Sequence, residues 1–135
     1  MDYIIDLNHA AAEIVSRLPA WTAAGLLPGP ITWRDEAASW PQRLEVERVV
    51  ITDPDSVGVF IQSADERNAV NIVLYQGGWV DLDGLVNDVI TAECPKIKSA
   101  EEFGVVLDAA IACFLDSPPC PFELGATRPL GRFVS

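Results

Sequence analysis

The sequence predicts an α+β fold: a single domain with an antiparallel sheet of about four to five strands, and N-terminal and C-terminal helices packed on one face. Three observations predict it. Runs rich in β-branched residues, separated by turn chemistry, occupy residues 44–94, and an apolar stripe at helical spacing stands at each end of them. Half of the 135 residues are apolar, enough for one core, and neither a repeat nor a linker divides the chain.

Leu7, Ala10, Ala11, Ile14 and Leu18 recur at helical spacing and give a helix over 4–18, which Pro19 is expected to end. Residues 19–43 have no period but hold Pro28, Pro30 and Pro41 with Trp21, Trp33 and Trp40. Short elements are expected there, their indoles packing over the sheet. Leu44–Ile51 reads as a strand stopped by a turn at Asp53-Pro54-Asp55-Ser56. Val57–Ala64 and Ala69–Gln76 follow as strands around the polar group Asp65-Glu66-Arg67-Asn68, and Gly77-Gly78 leads into Trp79-Val80-Asp81-Leu82-Asp83. Val89–Cys94 reads either as a fifth strand or as the continuation of a helical turn through Val86–Ile90. Ser99-Ala100-Glu101-Glu102 fits a capping box and opens a helix over 99–116, with Phe103, Val106, Leu107, Ala110, Ile111 and Phe114 on one stripe. Residues 117–135 read as an irregular tail.

The hairpin around Gly77-Gly78 fixes a register, because a slip of one residue exchanges the two faces of a strand. A two-residue loop sets Leu74 against Asp81 and Ile72 against Asp83, mixing apolar and acidic side chains. A three-residue loop, Gln76-Gly77-Gly78, sets Leu74 against Val80, Ile72 against Leu82 and Val70 against Gly84. One face then holds Val70, Ile72, Leu74, Val80 and Leu82; the other holds Asn71, Val73, Tyr75, Trp79, Asp81 and Asp83. Two fates are open to this second face: contact with a protein partner, or burial beneath the Trp-bearing segment with both aspartates at the rim.

The formal charge is −11, and residues 35–116 hold 16 of the 20 acids and 5 of the 9 bases. That excess argues against nucleic acid and anionic membranes as partners. An acidic start in place of a basic leader, and three cysteines (Cys94, Cys113, Cys120) without a framework, lead to the expectation of a cytoplasmic protein. Catalytic, cofactor and metal signatures are absent from the sequence: His9 is the single histidine, CxxC and HExxH do not occur, and no helix with Lys-Ser or Lys-Thr follows Gly77-Gly78. Paired acids, Asp81 with Asp83 and Glu45 with Glu47, share strand faces, but 20 acids generate such pairs without design. The expectation is a binding protein and not an enzyme.

The stretch from Leu44 to Asp116 resembles the small acidic α/β immunity proteins of bacterial polymorphic toxin systems. The resemblance is carried by the successive strands, the Tyr75-Gln76-Gly77-Gly78-Trp79-Val80-Asp81-Leu82-Asp83 hairpin, Glu93-Cys94-Pro95 and the Ser99-Ala100-Glu101-Glu102-Phe103 helix start. It covers a little over half the chain, its motifs are loose, and no functional residue transfers. It implies a cognate protein toxin as partner, a basic one, neutralised without a cofactor. The residues expected to bind are Tyr75, Trp79, Asp81, Asp83 and Asn71, with Glu45 and Glu47 as weaker candidates. In size, charge and element order the chain also resembles acidic secretion chaperones of the type III kind, which hold an effector segment in apolar grooves. The oligomeric state is left open.

Overall fold

The computed structural model describes residues 4–86 and 88–115, with side chains described through residue 112. Helix α1 spans Leu7–Ala23, capped by the Asp6 carboxylate, which accepts the amides of Asn8 at 2.9 Å and His9 at 3.3 Å. Pro19 does not end it, contrary to the sequence expectation of 4–18, but lies inside. A proline interior to a helix costs about 3 kcal/mol. Continuing the helix buries the Trp21 indole, 4% exposed, and burying an indole contributes about 4 kcal/mol. The helix therefore runs on.

Residues 19–43 depart further from expectation, because they enter the sheet instead of covering it. Strands β1 (Leu26–Pro28) and β2 (Thr32–Asp35) pair with opposite halves of β4 (Pro54–Ser63) along the same side. The chain between them, Gly29-Pro30-Ile31, bulges by one residue. Trp33 points into the core from β2, while Trp40 is exposed and covers nothing. The expected strand over Leu44–Ile51 shrinks to β3 (Leu44–Glu45), followed by a 3-10 turn at Arg48–Val50. Its β-branched residues Val46, Val49 and Val50 stay exposed, so no burial rewards extension there. Arg48 instead anchors the segment: it donates to Asn8 Oδ1 at 2.8 Å and to the Ile51 carbonyl at 2.9 Å, and lies 5.1 Å over the Trp33 ring.

The expected turn at Asp53–Ser56 is also corrected, since β4 already begins at Pro54, where a strand's first residue can lack its N–H. Asp55 is the extra residue of a second bulge opposite Arg34 and Asp35. Asp35 holds the loop from below. Its buried carboxylate accepts the amides of Ala37, Thr52 and Asp53 at 2.9–3.0 Å, and these bonds, led by Thr52, draw its pKa below the usual value.

Strands β5 (Ala69–Tyr75), β6 (Val80–Val86) and β7 (Val89–Glu93) complete a seven-stranded antiparallel sheet, ordered β3-β2-β4-β5-β6-β7 with β1 beside β2 on β4. The strand count exceeds four to five because the Trp-bearing segment contributes its own. Val89–Glu93 is a strand, which resolves the helical alternative. Helix α2 spans Ala100–Leu115; Ser99 Oγ accepts the Glu102 amide at 3.1 Å, and the Glu102 carboxylate reaches back to the Lys98 amide at 2.7 Å. Asp116 and the tail at 117–135 lie outside the described residues.

Both helices lie on one face, and the core forms between them and Val57, Val59 and Ile61 of β4, Ile72 and Leu74 of β5, and Val80 and Leu82 of β6. Phe103, Leu107 and Ile14 are fully buried within it. Arg17 pins the helices together, donating to both Asp108 oxygens at 2.7 and 3.1 Å and to Glu13 Oε1 at 2.8 Å. Among the described residues no helix is long and apolar enough to cross a membrane.

The register of β5 and β6 agrees with the three-residue loop: Leu74 opposes Val80, Ile72 opposes Leu82 and Val70 opposes Gly84. Gly78 has φ +99, and a Cβ there would stand 2.4 Å from the Ile97 carbonyl oxygen, whereas one on Gly77 would meet nothing within 4 Å. Gly78→Ala is therefore expected to destabilise the domain by about 2–4 kcal/mol, from backbone strain and overpacking together. Gly77→Ala should change stability by less than about 1 kcal/mol in the same denaturant titration. Equal effects at the two positions would refute this account of the turn.

Candidate functional site

The face turned away from the helices can be followed row by row across the strands, because directly opposed residues point the same way. The first row runs Leu44, Arg34, Ser56, Tyr75, Trp79, Lys96. The second runs Thr32, Gly58, Val73, Asp81, and Cys94 adjoins it by donating its thiol to Asp81 Oδ1 at 3.4 Å. Phe60, Asn71, Asp83 and Ala92 form the third. Leu27, Gln62, Ala69, Leu85 and Ile90 form the fourth. The surface thus grades from cations stacked on aromatics, through aspartates, to an aliphatic end.

In the first row the Arg34 guanidinium stands 5.6 Å from the Tyr75 ring centroid and is ion-paired to Asp55, and Lys96 Nζ stands 5.0 Å from that of Trp79. Each ring therefore already carries a cation from its own chain. Tyr75 is half-buried; burial, then the negative charge of Asp81 and a hydrogen bond to it, push the phenol's pKa up. Burial likewise raises the Cys94 thiol, helped by its bond to Asp81 and by the charges of Asp81 and Asp83, so it stays protonated near neutrality. A protonated thiol is a poor nucleophile.

Five of the expected residues, Tyr75, Trp79, Asp81, Asp83 and Asn71, come together on this face, where Trp79 is 48% exposed and Asp83 is exposed. Glu45 and Glu47 do not join them. Glu45 opposes Trp33 on the helix side of the sheet, 3.9 Å from Arg43, and Glu47 precedes the 3-10 turn, so the two share no strand face. Sequence reasoning missed Arg34, Asp55 and Lys96, and also the exposed apolar residues Phe60, Leu27, Leu85 and Ile90. Phe60 was accessible by parity alone, since it alternates with Val59 and Ile61; Arg34 and Lys96 depend on strand pairings that no local pattern announces.

Among the described residues no group of three or more His, Cys, Asp or Glu could hold a metal ion, and His9 is exposed on α1. A hollow of about 280 Å³ between Asp35, Ser39, Pro41, Arg43 and Glu45 lies away from this face, and its Asp35 carboxylate already serves three backbone amides. Comparison with protein-family models, curated proteins and solved structures finds no match.

Asp81→Asn removes a charge that holds the Cys94 thiol up. Alkylation of Cys94 by iodoacetamide at pH 8, followed on its own peptide by mass spectrometry, should then accelerate severalfold. An unchanged rate would show that the two side chains are not coupled.

Proposed function

We propose that this chain is a cytoplasmic immunity protein that neutralises a cognate bacterial toxin by binding it as a protein, without a cofactor or a catalytic step of its own. The observation that carries the reading is the graded face itself: Tyr75, Trp79, Asp81 and Asp83 stand on a sheet surface opposite the helices, with aliphatic side chains beyond them. Aromatic rings held by neighbours lose little side-chain freedom on contact, which favours them as binding anchors. Carboxylates beside them attract a basic partner and repel an acidic one. A toxin docked there is blocked by occupation of its substrate entry.

The runner-up, an acidic secretion chaperone of the type III kind, is favoured by the exposed aliphatic row ending in Leu85 and Ile90, which suits an extended apolar segment. It requires a stable homodimer, so sedimentation of the purified chain separates the two readings.

The direct test is Trp79→Ala with Asp81→Asn and Asp83→Asn, titrated calorimetrically against a basic bacterial toxin domain that the unaltered chain binds. Affinity should fall by about 100-fold or more while the thermal transition is retained, since hot-spot truncations cost 2 kcal/mol or more each. Unchanged affinity in a folded triple variant would place the contact elsewhere.

A further inference from the structure

We infer that β7 is a docking edge, taking an extended partner segment with aliphatic and basic side chains as one more strand of the sheet. This rests on the proposed binding role and names how the partner is held. Strand β7 ends the sheet and pairs only with β6 among the described residues. Its five pairs run in unbroken register, without a bulge, and Val89-Ile90-Thr91-Ala92-Glu93 contains neither Pro nor Lys. Native edges are ordinarily blunted by such features, because a regular edge offers its outward N–H and C=O groups to any passing strand. The opposite end of the sheet differs, with a β3 of only two residues.

The side chains beside this edge specify what it would accept. Ile90 is 67% exposed and opposes Leu85, so the aliphatic row of the open face stops at the edge and an aliphatic residue beyond Ile90 would continue it. Two residues along, Ala92 opposes Asp83. A methyl group is too short to screen that carboxylate, and Asp83 makes no salt bridge among the described residues, so a Lys or Arg beyond Ala92 can reach over to it. A second copy of this chain meets the requirement poorly. It brings a net charge of −11 against an edge flanked by Asp83 and Asp88 and presents no lysine or arginine from its own β7. Charge complementarity therefore selects a basic segment, bound through main-chain hydrogen bonds with side chains giving the preference.

The test uses the ¹⁵N-labelled full chain at low salt and the synthetic peptide acetyl-Thr-Lys-Thr-Val-Thr-Lys-Thr-amide, whose Val and two Lys side chains share one face of a strand, with a Glu-for-Lys peptide as control. The basic peptide should shift the amides of Ile90 and Ala92 most and slow their exchange with solvent. Ile90→Lys should weaken it by about tenfold or more, through added repulsion and lost apolar contact. Val105→Ser, exposed on α2 and away from the open face, should leave the peptide's affinity within about twofold, and because no toxin is present in this titration, failure of the edge and failure of the toxin reading are seen separately. Equal binding of the acidic peptide, or shifts spread over the acidic surface and unaffected by Ile90→Lys, would overturn the proposal. So would Ile90 and Ala92 amides already protected in the free chain, whether monomeric, with its own residues on the edge, or as a dimer that Ile90→Lys dissolves.

Discussion

The turn at Gln76-Gly77-Gly78 is the constraint on which the rest of the structure depends. It gives the chain one residue more than a two-residue hairpin and so decides which side of β5 and β6 meets the helices. Gly78 makes the turn possible, because its left-handed backbone lies against the Ile97 carbonyl with no room for a side chain. The same glycine receives the Ile97 amide on its own carbonyl at 2.8 Å, which ties the approach to α2 to the hairpin. Core and open face are thus set by one local event. Val80 and Leu82 go inward, and Trp79, Asp81 and Asp83 go outward.

Electrostatics then divides the molecule's acid excess into two uses. Asp35, Asp6 and Asp108 are structural: they cap a helix, hold a loop or pin helix to helix, and each is satisfied by amides or by Arg17. Asp81 and Asp83 serve no such purpose in the backbone and stand in the middle of a surface whose rings are capped by Arg34 and Lys96. Arg34 is compensated by its ion pair with Asp55 and the rings carry no net charge, so the aspartate rows carry the negative field. On the proposed reading, that field would steer a basic partner toward the center of the sheet, where apolar area is also available.

Much of this was legible from local pattern. The helix stripes, the β5–β6 register and the placement of Tyr75, Trp79, Asp81, Asp83 and Asn71 on one face follow from periods of 3.6 and 2, which need no tertiary knowledge. The misread elements are those where packing overrides propensity. Pro19 is tolerated because Trp21 gains burial beyond it, Val46, Val49 and Val50 are not extended because no partner strand receives them, and Pro54 starts a strand because its missing N–H falls at the end of the ladder. Glu45 and Glu47 were grouped with the site on the strength of a strand that the chain does not continue. Arg34 and Lys96 reach the site from segments more than 15 residues away on either side of the hairpin, across pairings that only the folded sheet reveals.

The central claim, that a three-residue turn sorts core from open face, is tested most directly by cross-strand nuclear Overhauser effects in the free full-length chain. Tyr75 and Trp79 are hydrogen-bonded across the turn, so the next pair inward is a close, non-bonded one with its Cα atoms about 4.5 Å apart. Strong Hα–Hα effects are expected between Leu74 and Val80 and between Ile72 and Leu82. Effects joining Leu74 to Asp81 and Ile72 to Asp83 would contradict the account, since that register returns the aspartates to the core face and dissolves the surface on which the functional reading stands.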